Sequence, residues 1–586
     1  MKDEYILGVH YGHDATAVLI KNGTIVEAMS EERLSRCKKH VGFPGLALAY
    51  IKEKYHITSF DEVIVVGEDV VESADIFHTL EDNKKRRAAG PTPTKDFLRA
   101  IGARFAPIGW LYAIRDSMLI SRLRRGTAGK VERFLHEQFP GTEITRINHH
   151  LAHAYATLPF MPDDKKRIIL TLDGAGDNLS GSINLYEDGV VTRQSSVPIS
   201  ASIGLLYCGI VDLLGMTRNE HEFKVMGLAP YAKASHGEKV YDRLKQWIRF
   251  DEEQMTFIST IPLHQSTAHL IANDFHHHRF DNLAYGIQKL TEELIKDMAR
   301  AAIKKYGVSD IALGGGVFMN VKANQYLREM PEVTSLVVTP SCGDESLAIG
   351  AAIYGYLQKN KDSIPRLENL YLGSDYSDAE VKQAIDAYAF TKQCTVTYFD
   401  PKSDMTIEKK VAELLAENSV VGRLKGRAEW GARALGNRSI LANASSRDNV
   451  KLINEMIKGR DFWMPFATSM LYERRNEYLE NADDYYAGYM AITFNTKERA
   501  HKELMAALHP YDLTSRPQMI KKEVNPEYHA LISHFEEKTG IGGILNTSFN
   551  LHGEPNVENP TDALRTFELS GLPHVAIGNY LISKKK

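Results

Sequence analysis

Cysteine is scarce in this 586-residue chain: Cys37, Cys208, Cys342 and Cys394 are its only four, and none belongs to a CxxC pair. That spacing excludes a zinc ribbon and argues against a disulfide framework. Long apolar runs are missing as well. No stretch reaches the ~18 residues of a membrane-spanning helix, and no apolar segment follows the charged start Met1–Tyr5. We therefore expect no secretory signal, no membrane partner and a cytoplasmic protein. Nor is there a basic excess: Lys plus Arg number 71 against 75 Asp plus Glu, a net charge of −4. A general nucleic-acid binder carries a basic footprint, so no nucleic-acid partner is expected. The HExxH glutamate of a metalloprotease is absent too. What remains is an ordinary globular composition, 43% hydrophobic and 25% charged. It excludes a largely disordered chain and supplies more than one core.

Along the chain, Tyr5–Val9 reads as a buried strand, followed by a turn at Tyr11–Asp14 and a strand at Ala15–Ile20. Asn22-Gly23 is a hairpin turn leading to a third strand, Thr24–Ala28. The pattern returns as Arg167–Asp173, Gly174–Asp177, Gly181–Tyr186 and the turn Glu187–Gly189. Two such units look like a duplicated fold, and the opening resembles the start of an actin or sugar-kinase type domain. Between them runs a basic stretch, Lys84–Arg87 through Arg122, Arg124 and Arg125. We read it as a solvated insertion, with a lid or an anionic-substrate patch as the alternative. Further on, Asn282–Tyr306 predicts an amphipathic helix, and Ile311–Leu313 and Ser335–Thr339 predict strands. The polar residues 357–366 are the expected linker between domains 1–356 and 367–586. Beyond it we expect a helix at Asp378–Tyr388, a strand at Cys394–Phe399, a helix at Ile407–Asn418 and a strand at Ser419–Arg423.

Several motifs carry chemistry. In Asn148–His153, Asn148 is a plausible N-cap, and His149 and His153 would share one helix face. Such a pair is a weak signal among 22 histidines. Its company strengthens it: Asp173 ends a buried strand, and Asp344 sits in the loop Pro340–Ser346. Two imidazoles and two carboxylates suit Fe(II), Mn(II) or Zn(II). His150 points elsewhere and reads as structural. Gly174 and Gly176, and Gly315 and Gly316 in the Gly314–Asn320 motif, would let backbone N–H groups approach phosphates, with Asn320 near a ribose or base. Lys224, beside a glycine turn, reads on chemistry alone as a surface lysine. The segment Gly422–Ser439 holds Arg423, Lys425, Arg427, Arg433, Asn437 and Arg438 against one acid, Glu429. A solvated basic face would alternate with acids; this pattern fits a phosphate pocket. Downstream, Arg516 and the amides Asn546 and Asn550 suit a small carbonyl or amide group.

Taken in order, these motifs resemble those of the ATP-dependent O-carbamoyltransferases of antibiotic and nodulation-factor biosynthesis, including the tobramycin and cephem enzymes. The matching set runs through EER at 31–33, HHLAH at 149–153, DGAGD at 173–177, KVMGLA at 224–229, GGGVFMN at 314–320, CGDES at 342–346, GRAEWGARALGNRSI at 426–440, SRPQ at 515–518 and NTSFN at 546–550. The resemblance implies an α/β protein with an actin-like, duplicated N-terminal domain bearing the HxxxH metal site, and a C-terminal YrdC-like α/β domain. It implies His149, His153, Asp173 and Asp344 as metal ligands, with Fe(II) the expected ion. Arg427, Arg433, Arg516 and Asn546 fall in the motifs that hold carbamoyl phosphate and ATP, the latter with Mg2+. Lys425, Asn437, Arg438 and Asn550 stand beside them. Three positions depart from the family pattern: Phe223 replaces a glycine, Lys425 a glutamine and Ala432 a proline. The implied activity is carbamoyl-adenylate formation, then carbamoyl transfer to the hydroxyl of a small-molecule acceptor. His13 and Asp14, with Lys224, are the candidate catalytic residues. His13 is either the acceptor-side base or a turn histidine that orients Asp14. The alternative function is an actin-like ATP-binding or tRNA-modification partner without carbamoyl transfer. A homodimer stays open, as does the acceptor alcohol.

Overall fold

Strands β1 (Tyr5–His10), β2 (Thr16–Lys21) and β3 (Thr24–Ser30) form the expected opening meander, closed by a left-handed turn at Asn22 (φ 49°) and Gly23 (φ 78°). The computed structural model describes residues 3–68, 72–89, 129–261, 263, 268–360, 363–483 and 485–585. Within it the chain divides into two compact units, Met1–Leu367 and Glu368–Lys586.

In the first unit, β4 (Glu62–Val66) and β5 (Ile144–Ile147) complete a five-stranded sheet of order β3-β2-β1-β4-β5. A second sheet is built from β6 (Arg167–Gly176), β7 (Leu179–Glu187), β8 (Val190–Pro198), β9 (Asp310–Gly314) and β10 (Ser335–Val338), in the order β8-β7-β6-β9-β10. Both sheets begin with an antiparallel meander and add two parallel strands beside its first strand. Identical order and sense make this unit an internal duplication, as the repeated strand–turn pattern predicts.

Three helices matter for the site: α1 (His149–Tyr155), α2 (Phe280–Tyr306) and α3 (Leu347–Lys359). Helix α3 lies so close to α1 that a Cβ on Gly350 would fall 1.8 Å from the Ala152 carbonyl oxygen. Only glycine allows that approach. Residues 357–359, expected in the linker, are instead the last turn of α3. Arg366 donates to the carbonyls of Leu158 and Met161 at 2.7 and 2.8 Å, tying the end of the same stretch to the first unit. Of the basic stretch, Lys84–Arg87 lie in a helix, Leu80–Ala89, where Arg87 pairs with Glu220 at 3.3 Å. Arg122, Arg124 and Arg125 lie outside the described residues.

The second unit is organised on an eight-stranded mixed sheet. Its strands are β11 (Cys394–Tyr398), β12 (Val421–Leu424), β13 (Arg438–Ala442), β14 (Ala467–Leu471), β15 (Pro517–Ile520), β16 (Gly543–Ser548), β17 (His574–Ile577) and β18 (Tyr580–Lys584). Their order is β11-β18-β17-β12-β13-β16-β14-β15. Helices α4 (Ile407–Ala416) and α5 (Pro526–Thr539) contribute Val411, Leu415, Leu531 and Phe535 to a core shared with Leu441 and Ile544 of the sheet. Each such side chain contributes about 1.5–3 kcal/mol by leaving water. Helix α4 ends before Asn418 because that residue turns left-handed, at φ 60°. Among the described residues no helix is long and apolar enough to cross a membrane.

Candidate functional site

Four ligating side chains converge within the first unit. One ligand atom from each of His149, His153, Asp173 and Asp344 lies within 4.8 Å of all the others. Asn148 caps α1, its side-chain oxygen accepting from the Leu151 N–H. The helical repeat then stacks His149 and His153 on one face, ring centroids 4.8 Å apart. Asp173 sits where β6 leaves its ladder: Leu172 faces Gly181, and the next pair is Gly176 with Leu179. This bulge re-aims the carboxylate. Its Oδ2 stands 3.0 Å from His153 Nε2 and 3.6 Å from His149 Nε2. Asp344 opens a short 3-10 turn after β10, with Oδ1 3.7 Å from His153 Nε2 and 3.8 Å from His149 Nε2. His153 Nδ1 meets Ser346 Oγ at 3.3 Å, the kind of outer contact that fixes a ligating ring.

These residues fit a divalent cation. Two carboxylates facing one pair of buried imidazoles repel each other unless positive charge lies between them. The nitrogen–oxygen donor set suits Fe(II), Mn(II) or Zn(II) and not a thiolate metal. Burial opposes ionisation of Asp173, yet hydrogen bonds from His149 and His153 hold its carboxyl well below the usual range. His150 turns away to Thr171 Oγ1 at 3.2 Å, consistent with a structural role.

His13 and Asp14 join this centre. His13 Nε2 lies 3.2 Å from Asp344 Oδ2, and its Nδ1 lies 3.0 Å from Asp14 Oδ2. Asp14, at φ 62°, is held in turn by Lys39 Nζ at 2.7 Å. The His13 side chain is 44% exposed, against 7% for Asp344. The Asp344 carboxylate beside it raises His13 to about 10. Lys39 carries no signal in the sequence that links it to Asp14, because the two are joined only through the fold. Lys224 lies in the first turn of a short helix, Glu222–Leu228, partly exposed.

The glycines have packing duties of their own. Gly174 and Gly176 lie inside β6, and a Cβ on Gly176 would sit 2.2 Å from His149 Cγ. Gly315 (φ 96°) closes on the Leu172 carbonyl, and Gly316 faces the Asp173 carboxylate, where a Cβ would lie 3.0 Å from Oδ1. Asn320 exchanges hydrogen bonds with Gln288 at 2.8 and 3.0 Å and caps the following helix. Gly176 and Gly316 thus leave the room that His149 and Asp173 occupy.

In the second unit the basic segment separates into two groups. Arg438 is fully buried, donating to the carbonyls of Glu558 (3.1 Å), Gly426 (2.9 Å), Asn437 (3.0 Å) and Ser374 (3.2 Å). Arg427 binds the carbonyls of Leu372 and Gly373 at 2.8 and 3.1 Å. Lys425 is ion-paired with Glu408 at 2.6 Å and Glu527 at 3.1 Å. Asn437 bridges Arg423, Asn525 and the Arg427 carbonyl. Asn550 accepts from Lys458 Nζ at 2.7 Å and donates to the Leu551 and Glu554 carbonyls. Lys425, Arg427, Asn437 and Arg438, expected in a phosphate pocket, thus all make hydrogen bonds or ion pairs within the protein. Their partners range from the adjacent Asn437 carbonyl to Glu558, 120 residues from Arg438.

The other group is a cluster of like charge. Burial and the charges of Arg433 and Arg460 push Arg516 well below the usual guanidinium range. Burial and Arg433 bring Arg460 down to about 10. Arg460 donates to Thr547 Oγ1 at 2.9 Å, and Asn546, next to it on β16, donates to Ser469 Oγ at 2.9 Å and the Ala434 carbonyl at 3.1 Å. Asn546 Oδ1 is buried without a hydrogen-bond partner. Three guanidiniums this close together repel one another, which is the arrangement that an anion relieves. Arg460 is absent from the sequence-derived set. It stands alone between Gly459 and Asp461, and only the return of Arg433 and Arg516 to its side reveals it.

The chain thus joins a duplicated α/β unit with a His2Asp2 cluster to a second unit with an arginine cluster. Family models described as carbamoyltransferase N-terminus and carbamoyltransferase C-terminus match residues 5–353 and 412–584. The chain belongs to the carbamoyltransferase family. It is similar to the uncharacterized protein MJ1051 of Methanocaldococcus jannaschii, 30% identical over 99% of this chain and 100% of that protein. It is also similar to the nodulation protein NolNO of Sinorhizobium fredii, 29% identical over 98% of this chain and 79% of that one.

Proposed function

We propose that this carbamoyltransferase uses carbamoyl phosphate and ATP to make carbamoyl-adenylate, and transfers the carbamoyl group to a hydroxyl of a small-molecule acceptor. One observation carries the reading: Arg433, Arg460 and Arg516 bring like charge together in the buried interior of the second unit. A phosphate ester offers oxygens to the guanidiniums, and a carbamoyl NH2 offers the donor that Asn546 Oδ1 lacks. In the second unit, acting as a YrdC-like domain, water attacks the phosphorus of carbamoyl phosphate, the P–O bond to the carbamoyl group breaks, and phosphate and carbamate form. A carbamate oxygen attacks the α-phosphorus of ATP, supplied with Mg2+, and pyrophosphate leaves. The arginines stabilise the charge that builds on the phosphoryl oxygens.

The second half-reaction belongs to the first unit. The acceptor oxygen attacks the carbamoyl carbon, the bond to the phosphate oxygen breaks, and AMP departs. His149, His153, Asp173 and Asp344 would hold the cation, which we take to be Fe(II). When bound, it supplies Lewis-acid polarisation of the carbonyl and, by drawing on the Asp344 charge, returns His13 toward its neutral form. The neutral His13 ring takes the acceptor proton at one nitrogen, and Asp14, balanced by Lys39, orients the ring at Nδ1. Lys224 and the glycine motifs at 174–176 and 314–316 would bind the nucleotide.

The test is pyrophosphate release from ATP by the purified protein without acceptor, with and without carbamoyl phosphate. Release that requires carbamoyl phosphate is expected. Nucleotide binding with no such release, even after an acceptor screen, would overturn the proposal in favour of an ATP-binding partner protein.

A further inference from the structure

Asp177 stands at the tip of the β6–β7 hairpin, where it and Asn178 adopt left-handed conformations (φ 48° and 63°). Its side chain reaches back to α1. Oδ2 accepts the His149 backbone N–H at 2.6 Å and the Asn148 Nδ2 at 3.2 Å, while Oδ1 accepts the Glu68 N–H at 2.9 Å. Asn148, the cap of α1, also accepts from Arg193 of β8. The carboxylate is 9% exposed, so its hydrogen bonds are shielded from competing water.

Three of the four ligands lie on the two segments that this tie joins. Asp173 is on the hairpin that ends at Asp177, and His149 is bonded to Asp177 directly. Helix α1 has only seven residues, too few for independent stability, so contacts set its position. A carboxylate at its first N–H combines a charge-assisted hydrogen bond with a favourable helix-dipole interaction. The bulge in β6 has little ladder bonding of its own to fix Asp173 between Leu172 and Gly176. Both ligand-bearing segments thus depend on an outside anchor, and Asp177 is shared by both.

We propose that Asp177 is a positioning residue of the metal centre. It locks the hairpin carrying Asp173 against the helix carrying His149 and His153, so the cage is assembled before a cation enters. This rests on the metal reading above. Outer contacts of this kind change metal affinity by ~10–100-fold.

The experiment titrates Co(II) into the chelator-stripped, full-length protein and follows the visible d–d absorption and the heat of binding. Wild type is compared with Asp177→Asn and Asn148→Ala, and each metal-free variant is also melted. Asp177→Asn keeps the shape but loses the charge and turns an N–H toward a donor. It should bind Co(II) ~10–100-fold more weakly, with a shifted d–d band. Asn148→Ala, which cuts the same tie from the other side, should move the same way by less. Wild-type affinity and an unshifted band in folded Asp177→Asn would overturn the proposal. If that variant does not fold, wild-type binding by folded Asn148→Ala overturns it instead. A wild-type protein that takes up no Co(II) would overturn the metal reading itself, and this inference with it.

Discussion

Oδ2 of Asp344 lies 3.2 Å from Nε2 of His13. The other oxygen of the same carboxylate lies 3.7 Å from His153 Nε2. One side chain therefore couples an exposed imidazole to a buried one. Charge placed on one oxygen is felt at the other, so the proton on His13 and the occupancy of the centre are linked.

His13→Ala should lower carbamoyl transfer by ~10²–10⁴-fold, the range for losing a general base. Pyrophosphate release dependent on carbamoyl phosphate should persist at near wild-type rate. Equal loss of both half-reactions would remove His13 from the transfer step.

Asp173→Asn and His153→Ala should each abolish stoichiometric metal content, measured by elemental analysis of the purified protein. Stripping the wild type with chelator and restoring only Mg2+ should do the same to transfer while sparing pyrophosphate release. Metal retained at one per chain in both variants would refute the assigned ligand set.

Arg516→Gln relieves repulsion from Arg433 and Arg460. The ligand-free variant should melt about 2–4 °C higher for each kcal/mol relieved. Phosphate should raise the melting temperature of the wild type by binding the folded state, and should no longer do so in the variant. A lower melting point, with the phosphate response intact, would contradict a binding role.

Asn546→Leu should lose selectivity for carbamoyl phosphate over acetyl phosphate, measured by competing the two in pyrophosphate release. A buried acceptor left without its donor is what rejects the acetyl analogue, and such discrimination reaches ~10⁴ where a site is built around a hydrogen bond. A selectivity ratio unchanged in the variant would separate Asn546 from the substrate.

Glu292 on α2 is buried, and desolvation pushes its carboxyl up to about 7, despite the Gln288 amide at 2.7 Å and the charges of Lys322 and Lys296. The folded value lies above the unfolded one. Its favourable contribution is therefore complete below the unfolded value and is lost as pH rises through about 7. Relative to Glu292→Gln, the wild type should lose up to ~3 kcal/mol between roughly pH 5 and pH 8 in denaturant titrations. Parallel pH profiles for the two proteins would show the carboxyl to be hydrated.

Much of the first unit is legible in the sequence. Apolar strands flanked by Asn22-Gly23 or by the DGAGD turn announce themselves through local pattern, and so do the capped His149–His153 pair and the strand-end acids. The second unit is less legible, for a physical reason. An arginine in a glycine-rich loop has the same local sequence whether its fork meets phosphate or carbonyls. The Ser374 and Glu558 carbonyls that occupy Arg438 lie on distant segments, as does the Glu408 that neutralises Lys425. Arg460 is the converse case: it has an unremarkable setting in sequence and is brought to Arg433 and Arg516 only by folding. Asp177 was visible as the last residue of a motif, but its reach to the His149 N–H required the hairpin to fold back on α1.

The bulge in β6 sets four residue steps, Leu172 to Gly176, against two on its partner, Gly181 to Leu179. Side chains alternate along a strand, so the direction of Asp173 depends on how many residues lie in that interval as well as on which residues they are. Deleting Ala175 would leave every ligand in the chain and still turn one of them away. Substitution can change the chemistry of this centre, but insertion and deletion change its arithmetic. The spacing of the motif should accordingly drift far more slowly between relatives than the letters within it.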